Sequence, residues 1–156
     1  MGQQQLLLVI LVTILVGIAT VVAMNVFGGA AEDANRDMVR QDILQGATTA
    51  QAIYARPVML DGAGGDFTEI PGNGTDAEKL ISRLGMPITL EGDVWRNANG
   101  SYEVSNVEEN SFRITGTPSS GGEDIVADVS YNTTSGSWDI TWSPGTGSGD
   151  GDEGGG

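Results

Sequence analysis

Leu6 to Val26 is an unbroken run of uncharged residues, and the chain keeps a helical rhythm after that run ends. At about 1.5 Å per residue such a helix spans about 30 Å, the thickness of a bilayer's hydrocarbon core. Val9, Ile10, Val12, Ile14, Val16, Ile18, Val21 and Val22 are β-branched, and such residues are middling helix formers in water. In lipid the backbone must satisfy its own hydrogen bonds, so a helix is expected there regardless. Gly17, with Thr13, Ala19, Thr20 and Ala23 around it, supplies the small side chains that let helices approach closely. Gly28-Gly29 reads as a flexible joint, since paired glycine is a common helix stop. Beyond it Val39, Ile43, Ala47, Ala50 and Tyr54 recur at spacings of four, four, three and four. That spacing makes one apolar stripe on a helix, which Met38 and Ile53 widen. Arg36, Asp37, Arg40, Gln41, Gln45 and Gln51 fill the other faces. A stripe apolar on one side only needs a packing partner, and a sheet further along the chain is expected to supply it.

Pro57 ends the helix. A glycine-rich loop follows to Gly74, and Thr75-Asp76-Ala77-Glu78 matches a capping box ahead of the short apolar face Leu80, Ile81 and Leu84. From there apolar and polar residues alternate over Ser101 to Val107, Ser111 to Thr117, Asp124 to Tyr131 and Ser137 to Trp142. The breaks fall at Asn99-Gly100, Glu109-Asn110, Gly121-Gly122 and Asn132 to Gly136, all turn residues. The pattern predicts a meander of about four antiparallel strands, with a further strand possible near Ile88 to Arg96. The expected fold class is α+β: one long N-terminal helix, apolar then amphipathic, packed on a small antiparallel sheet. The expected divisions are the helix over 1–56 (a membrane or filament-core half, 1–27, and an amphipathic half, 30–56), a head over 57–142 and a disordered Gly/Asp-rich tail over 143–156.

Charge sharpens this division. The formal net charge is −14. Residues 1–56 hold four of the 21 acids and three of the seven bases, so nearly all the excess lies in the head and tail. An acidic head argues against nucleic acid as a direct partner, because phosphate binding needs basic patches. Solubility is the plain reading of such charge.

The chain has no cysteine and no histidine, which removes disulfides, thiolate chemistry, the commonest general base and the commonest metal ligand. Phosphate-cradling and dinucleotide glycine motifs are absent as well. Asp61 to Asp66 and Asp150 to Glu153 are carboxylate-rich, but neither has a calcium-loop spacing, and solvated loop is the expectation. Asn73-Gly-Thr75, Asn99-Gly-Ser101 and Asn132-Thr-Thr134 fit the glycosylation pattern, yet turn use of Asn explains them more simply. Trp95, Trp138 and Trp142 are expected in the core or on a sheet face. No enzyme, cofactor or metal site is expected.

The stretch Ala34-Asn-Arg-Asp-Met-Val-Arg-Gln-Asp-Ile-Leu-Gln-Gly-Ala-Thr-Thr-Ala-Gln-Ala-Ile-Tyr-Ala-Arg-Pro57, entered directly from an apolar half and followed by a sheet, resembles type IV pilins and pseudopilins. The resemblance covers the helix well and the head by class. The family usually carries a glutamate at mature position five, implied to contact the N-terminal amine of a neighbouring subunit. With Met1 as the first residue, Gln5 stands there; with a cut after Gly2, position five is Leu7. The first register keeps a polar group in place and is preferred, although Gln5 can hydrogen-bond without forming an ion pair.

The resemblance implies a structural subunit of an extracellular type IV pilus-like filament. It implies a homo-oligomer that resides in the inner (cytoplasmic) membrane before a pilus-type machinery assembles it at the cell surface. Expected assembly residues are Met1, Gln5, Leu6, Leu8, Val9, Val12 and Gly17. Val39, Ile43, Ala47, Ala50 and Tyr54 are the expected helix–sheet packing residues. Competing expectations are a membrane-anchored monomeric binding or adhesin module, and a minor pseudopilin of a secretion or DNA-uptake system. A conventional secretory signal fits less well, since Met1 to Gln5 carries no side-chain charge and the run exceeds the usual core of about 7–15 residues. Arg36 and Arg40 follow the run, and the positive-inside rule alone would hold the head in the cytoplasm. Both lie inside the predicted helix well past the run, so an outward head is preferred.

Overall fold

The structure, a computed structural model, describes the backbone of residues 2–144 and the side chains through Ser143. Met1 and the stretch from 145 onward, with Asp150, Asp152 and Glu153, lie outside the described residues. The chain divides into two units, Met1–Ala34 and Asn35–Gly156. Helix α1 runs Gly2–Ala55 and passes through Gly28 and Gly29 without a break. The joint expected at that pair is therefore not an interruption of the helix. Each glycine costs about 1 kcal/mol relative to alanine, too little to end a helix that resumes at once with Ala30, Ala31 and Glu32.

In the second unit, Pro57 does close α1, and the chain folds back to cap it. The amides of Ala63, Gly64 and Gly65 donate to the carbonyls of Ile53, Arg56 and Tyr54 at 2.9, 2.8 and 2.8 Å, satisfying acceptors that a helix end leaves open. Gly64 and Gly65 take positive φ to do so (64° and 92°), a conformation glycine adopts without penalty. A short 3-10 turn, Val58–Leu60, projects from this cap. Helix α2, Asp76–Ile81, opens on the reciprocal capping box: Thr75 N–H donates to Glu78 Oε2 (2.8 Å), and Glu78 N–H to Thr75 Oγ1 (3.3 Å).

Among the described residues the sheet is antiparallel and has six strands, not about four with one more near Ile88 to Arg96, in the sequential order β1 Thr89–Glu91, β2 Val94–Arg96, β3 Gly100–Ser105, β4 Ser111–Pro118, β5 Ile125–Asn132 and β6 Ser137–Pro144. The extra pair is a hairpin closed by Gly92-Asp93, with Gly92 at φ 65°, the positive φ that two-residue hairpin turns demand. Its strands are three residues each and mostly exposed on both faces, so they carry no apolar alternation to read. β6 also extends through Ser143 and Pro144, residues expected in the tail.

Strand register aligns the buried residues into rows. Tyr102 pairs with Gly116 and Gly116 with Ile125; Val104 pairs with Ile114 and Ile114 with Ala127; Phe112 pairs with Val129. All are buried together with Val39, Ile43, Ala47 and Ala50 of α1. On the opposite face Arg113 forks onto Asp128 across β4–β5, at 2.7 and 3.0 Å. The sheet thus has one face in the core and one toward solvent.

Two glycines make room around α1, Gly116 for the helix against the sheet and Gly46 for the segment that follows α2. A Cβ on Gly116 would sit 2.5 Å from Cγ1 of Val39 and 3.1 Å from Cδ1 of Ile43. A Cβ on Gly46 would sit 2.6 Å from the Met86 sulfur. Val39 is β-branched and stiff, whereas Met86 can swing aside. Gly116→Ala is therefore expected to destabilise the chain by about 1–3 kcal/mol through overpacking, and Gly46→Ala by clearly less. Denaturant unfolding of the full chain in detergent checks the order, and adding Val39→Ala to Gly116→Ala should recover part of the loss.

Candidate functional site

The first unit offers one feature, its apolar surface. Sixteen large apolar side chains between Leu6 and Phe27 are exposed, Leu6, Leu8, Val9 and Val12 among them. Gln5 is exposed beside them, and Gly17 has open space around its α-carbon. Covering each large side chain is worth about 1.5–3 kcal/mol. Summed over sixteen, that exceeds the roughly 5–15 kcal/mol net stability of a whole domain, so covering this surface with an apolar medium or partner is strongly favoured over leaving it in water. Its two mid-run hydroxyls are turned inward: Thr13 Oγ1 donates to the Val9 carbonyl (2.7 Å) and Thr20 Oγ1 to the Val16 carbonyl (2.8 Å). Each is satisfied within its own helix, as an apolar medium requires. By length and composition α1 can cross a membrane, and the chain thus carries an N-terminal element that could anchor it in one.

In the second unit the notable side chain is Asp42, which is 8 % exposed. It is placed by spacing: three residues after Val39 and four before Gly46, it lies on the buried stripe of α1. Its Oδ2 accepts from Asn97 Nδ2 (2.9 Å), Asn99 Nδ2 (2.8 Å) and the Tyr102 hydroxyl (2.5 Å). Three donors from the β2–β3 connection and β3 therefore hold one carboxylate of α1. Asn97 Oδ1 in turn accepts the amides of Asn99 and Gly100 (2.9 and 3.1 Å), which fixes the turn that presents them. A second clamp sits two turns earlier on the same face of α1. Asn35 Nδ2 donates to the Asn99 carbonyl (2.9 Å), and Asn35 Oδ1 accepts from the amide and hydroxyl of Ser120 (3.1 and 2.9 Å).

Burial and then the Asp42 carboxylate push the Tyr102 hydroxyl well above the usual tyrosine range. Burial, with Tyr131, Glu109 and Asp66 nearby, also raises Tyr54. Tyr54 packs against Phe67, Tyr131 and Trp138 at ring separations of 5.0, 5.1 and 5.2 Å, and its hydroxyl donates to Asn110 Oδ1. It pins the end of α1 to the β3–β4 and β5–β6 loops. Met38, expected to widen the stripe, is exposed, and Ile53 is buried.

The remaining sequence candidates resolve into local structure. Asp61 is held by Arg83 at 2.7 and 3.2 Å, a hydrogen bond that lowers its carboxyl below the usual range. Asp66 accepts from the amide and hydroxyl of Thr68. Among the described residues no group of three or more acids is placed to hold a metal ion. Asn99 is committed to Asp42, and Asn132 accepts the amides of Thr134 and Ser135 in its turn. Trp95 and Trp138 are half-buried against the core; Trp142 is exposed. Protein-family models, curated proteins and solved structures yield no match to this chain.

Removing the Asp42 carboxylate strands three donors. Asp42→Ala is expected to cost about 3 kcal/mol or more, and Asp42→Asn less, since its carbonyl still accepts. Unfolding of the full chain in detergent checks both. Tyr102 also sets a pH dependence. An unfolded tyrosine ionises near its ordinary value of 10.0, whereas the folded one stays protonated beyond it. The folded state then binds more protons, so stability is level below pH 10 and falls as pH rises past it. Tyr102→Phe should flatten that alkaline slope, which a series of denaturation midpoints across pH measures.

Proposed function

We propose that this chain is a structural subunit of an extracellular, type IV pilus-like filament. The observation that carries the reading is the all-round apolar surface of the first half of α1, in a helix whose second half supplies the core of an acidic head. An apolar surface on every side suits lipid first and copies of the same helix later. Gly17 admits close approach between such helices. Burial at about 25 cal/mol per Å² over many neighbours drives the association. Gln5 offers an exposed polar, hydrogen-bonding group to an adjacent copy at the start of the apolar run in this arrangement. The subunit waits in the cytoplasmic membrane, and a pilus-type machinery adds it to the growing filament. The head has no histidine or cysteine and serves display and contact, not catalysis.

The apolar half is equally long enough for a permanent single-pass anchor, which would make the protein a monomeric surface module. A minor pseudopilin differs from the main reading in abundance. Electron microscopy of sheared surface material, with mass spectrometry of its polypeptides, separates the three. Thin filaments built mainly of this chain are expected. Filaments without it, or a chain found only as a membrane monomer, would sink the proposal. Val12→Asp places a charge within the apolar run at about 2.5–3.5 kcal/mol on insertion scales. It is expected to abolish filaments, and protease shaving of intact wild-type cells should release the head.

A further inference from the structure

The head carries a projection and a groove of matching chemistry. The projection is the Val58–Leu60 turn. Val58, Met59 and Leu60 are all exposed, Met59 at 96 %, and three adjacent exposed apolar residues on a charged head are unusual. The turn is rigid. Leu60 and Gly62 amides donate to the Pro57 carbonyl (2.9 and 3.2 Å), and Asp61 N–H to the Val58 carbonyl (3.1 Å). Beside it stands Arg56, exposed. Among the described residues five of the seven bases sit within 4.0 Å of a carboxylate, and Arg36 donates to the Glu123 carbonyl. Arg56 has no such hydrogen bond or close ion pair there; its charge contributes, after Arg83, to lowering the Asp61 carboxyl.

The groove lies between α2 and strands β1–β3 and has a volume of about 520 Å³, within the roughly 300–1,000 Å³ of pockets that take a ligand. Leu90, Val94 and Trp95 give it an apolar wall, and Glu78, Asp93 and Glu103 line it with carboxylate and no base. Leu90 and Val94 are exposed hydrophobics on the β1–β2 hairpin. Glu78 already accepts the Thr75 amide, leaving Asp93 and Glu103 as the exposed acids.

On the filament reading, we infer that the Arg56–Leu60 projection of one copy docks in the α2/β1–β3 groove of a second copy. Apolar side chains of the turn meet Leu90, Val94 and Trp95, and Arg56 meets Asp93 and Glu103. The charge match selects this occupant, since copies of a strongly negative head repel one another and a cation outside the chain's own ion pairs, set beside exposed apolar side chains, is a place where that repulsion is relieved. The two patches are different surfaces of one chain, so the contact is heterologous and repeats without closing. The turn is preformed, so little ordering entropy opposes docking.

The chain lacks cysteine, which makes cross-linking clean. Met59→Cys and Val94→Cys are installed together in the full chain, and sheared filaments are treated with a mild oxidant. A ladder of disulfide-linked multimers on non-reducing electrophoresis is expected, with none from either single variant. As a reading that needs no cysteine, Arg56→Glu should reduce filament yield at least several-fold, and adding Glu103→Arg should restore it. Filaments that form normally with no ladder and no charge effect overturn the contact and leave the filament reading intact. Cross-links to a different polypeptide overturn the second copy as occupant. Wild-type cells without filaments of this chain overturn both readings.

Discussion

The head depends on one helix segment lying close against one sheet face. Among the described residues Asn35–Ala55 of α1 are the only long helix in that unit, and without them Ile114, Ala127, Val129 and Phe112 would face water. Close approach is achieved by subtraction: Gly116 on β4 has no side chain where Val39 and Ile43 press in, and Ala47 and Ala50 are the small buried residues that follow on the helix. Dispersion falls off steeply with separation, so the packing is effective only at this spacing. The same proximity brings the backbone and side chains of the β2–β3 connection within reach of a short side chain on the helix. Asp42 can be gripped by Asn97, Asn99 and Tyr102 because the layers are already close.

Asp42 then adds what apolar packing lacks. An Ala/Val/Ile stripe could slide or rotate along a sheet with modest loss, since such contacts are not directional. A buried carboxylate tolerates no such slip, because every displaced donor leaves its charge poorly solvated. All three donors meet the same oxygen, so the register of α1 against β3 is specified at one atom. Asn35 with Ser120 near one end and Tyr54 with Asn110 at the other repeat the device with neutral groups. The helix is thus located along its length by hydrogen bonds and held down by apolar contact.

Much of this was legible in the sequence where a period could be counted. Val39, Ile43, Ala47 and Ala50 could be read from their spacing, and four strands from their alternation. A further strand was expected near Ile88 to Arg96, but its division into the β1–β2 hairpin was not, because three-residue strands mostly exposed on both faces have no alternation; the signal for the turn is Gly92-Asp93. The Gly28–Gly29 pair misled, since a propensity of about 1 kcal/mol per residue does not outweigh a helix continuing on both sides. The Asp42 network was hidden by distance: its partners lie 55 to 60 residues away in sequence. Asp42 nonetheless left a trace as an acid placed on the apolar stripe, three residues from Val39 and four from Gly46. The capping box at Thr75–Glu78 was readable because all its parties are local.

The charge distribution joins the head to the helix in one argument. On the proposed filament reading, copies held together by an apolar helix would bring their heads to high local concentration, where excess negative charge repels within about a Debye length, roughly 8 Å at physiological salt. Such repulsion would keep heads from collapsing onto one another and would make contact selective. Lys79, Arg83, Arg96 and Arg113 are spent on acids of the same chain, so they cannot attract a neighbour strongly. Among the described residues Arg56, placed where α1 ends and beside the most exposed apolar turn, is in none of these ion pairs, and Arg36 meets only a backbone carbonyl. On the proposed reading the apolar helix would supply association without direction, and the Arg56–Leu60 projection would supply the direction.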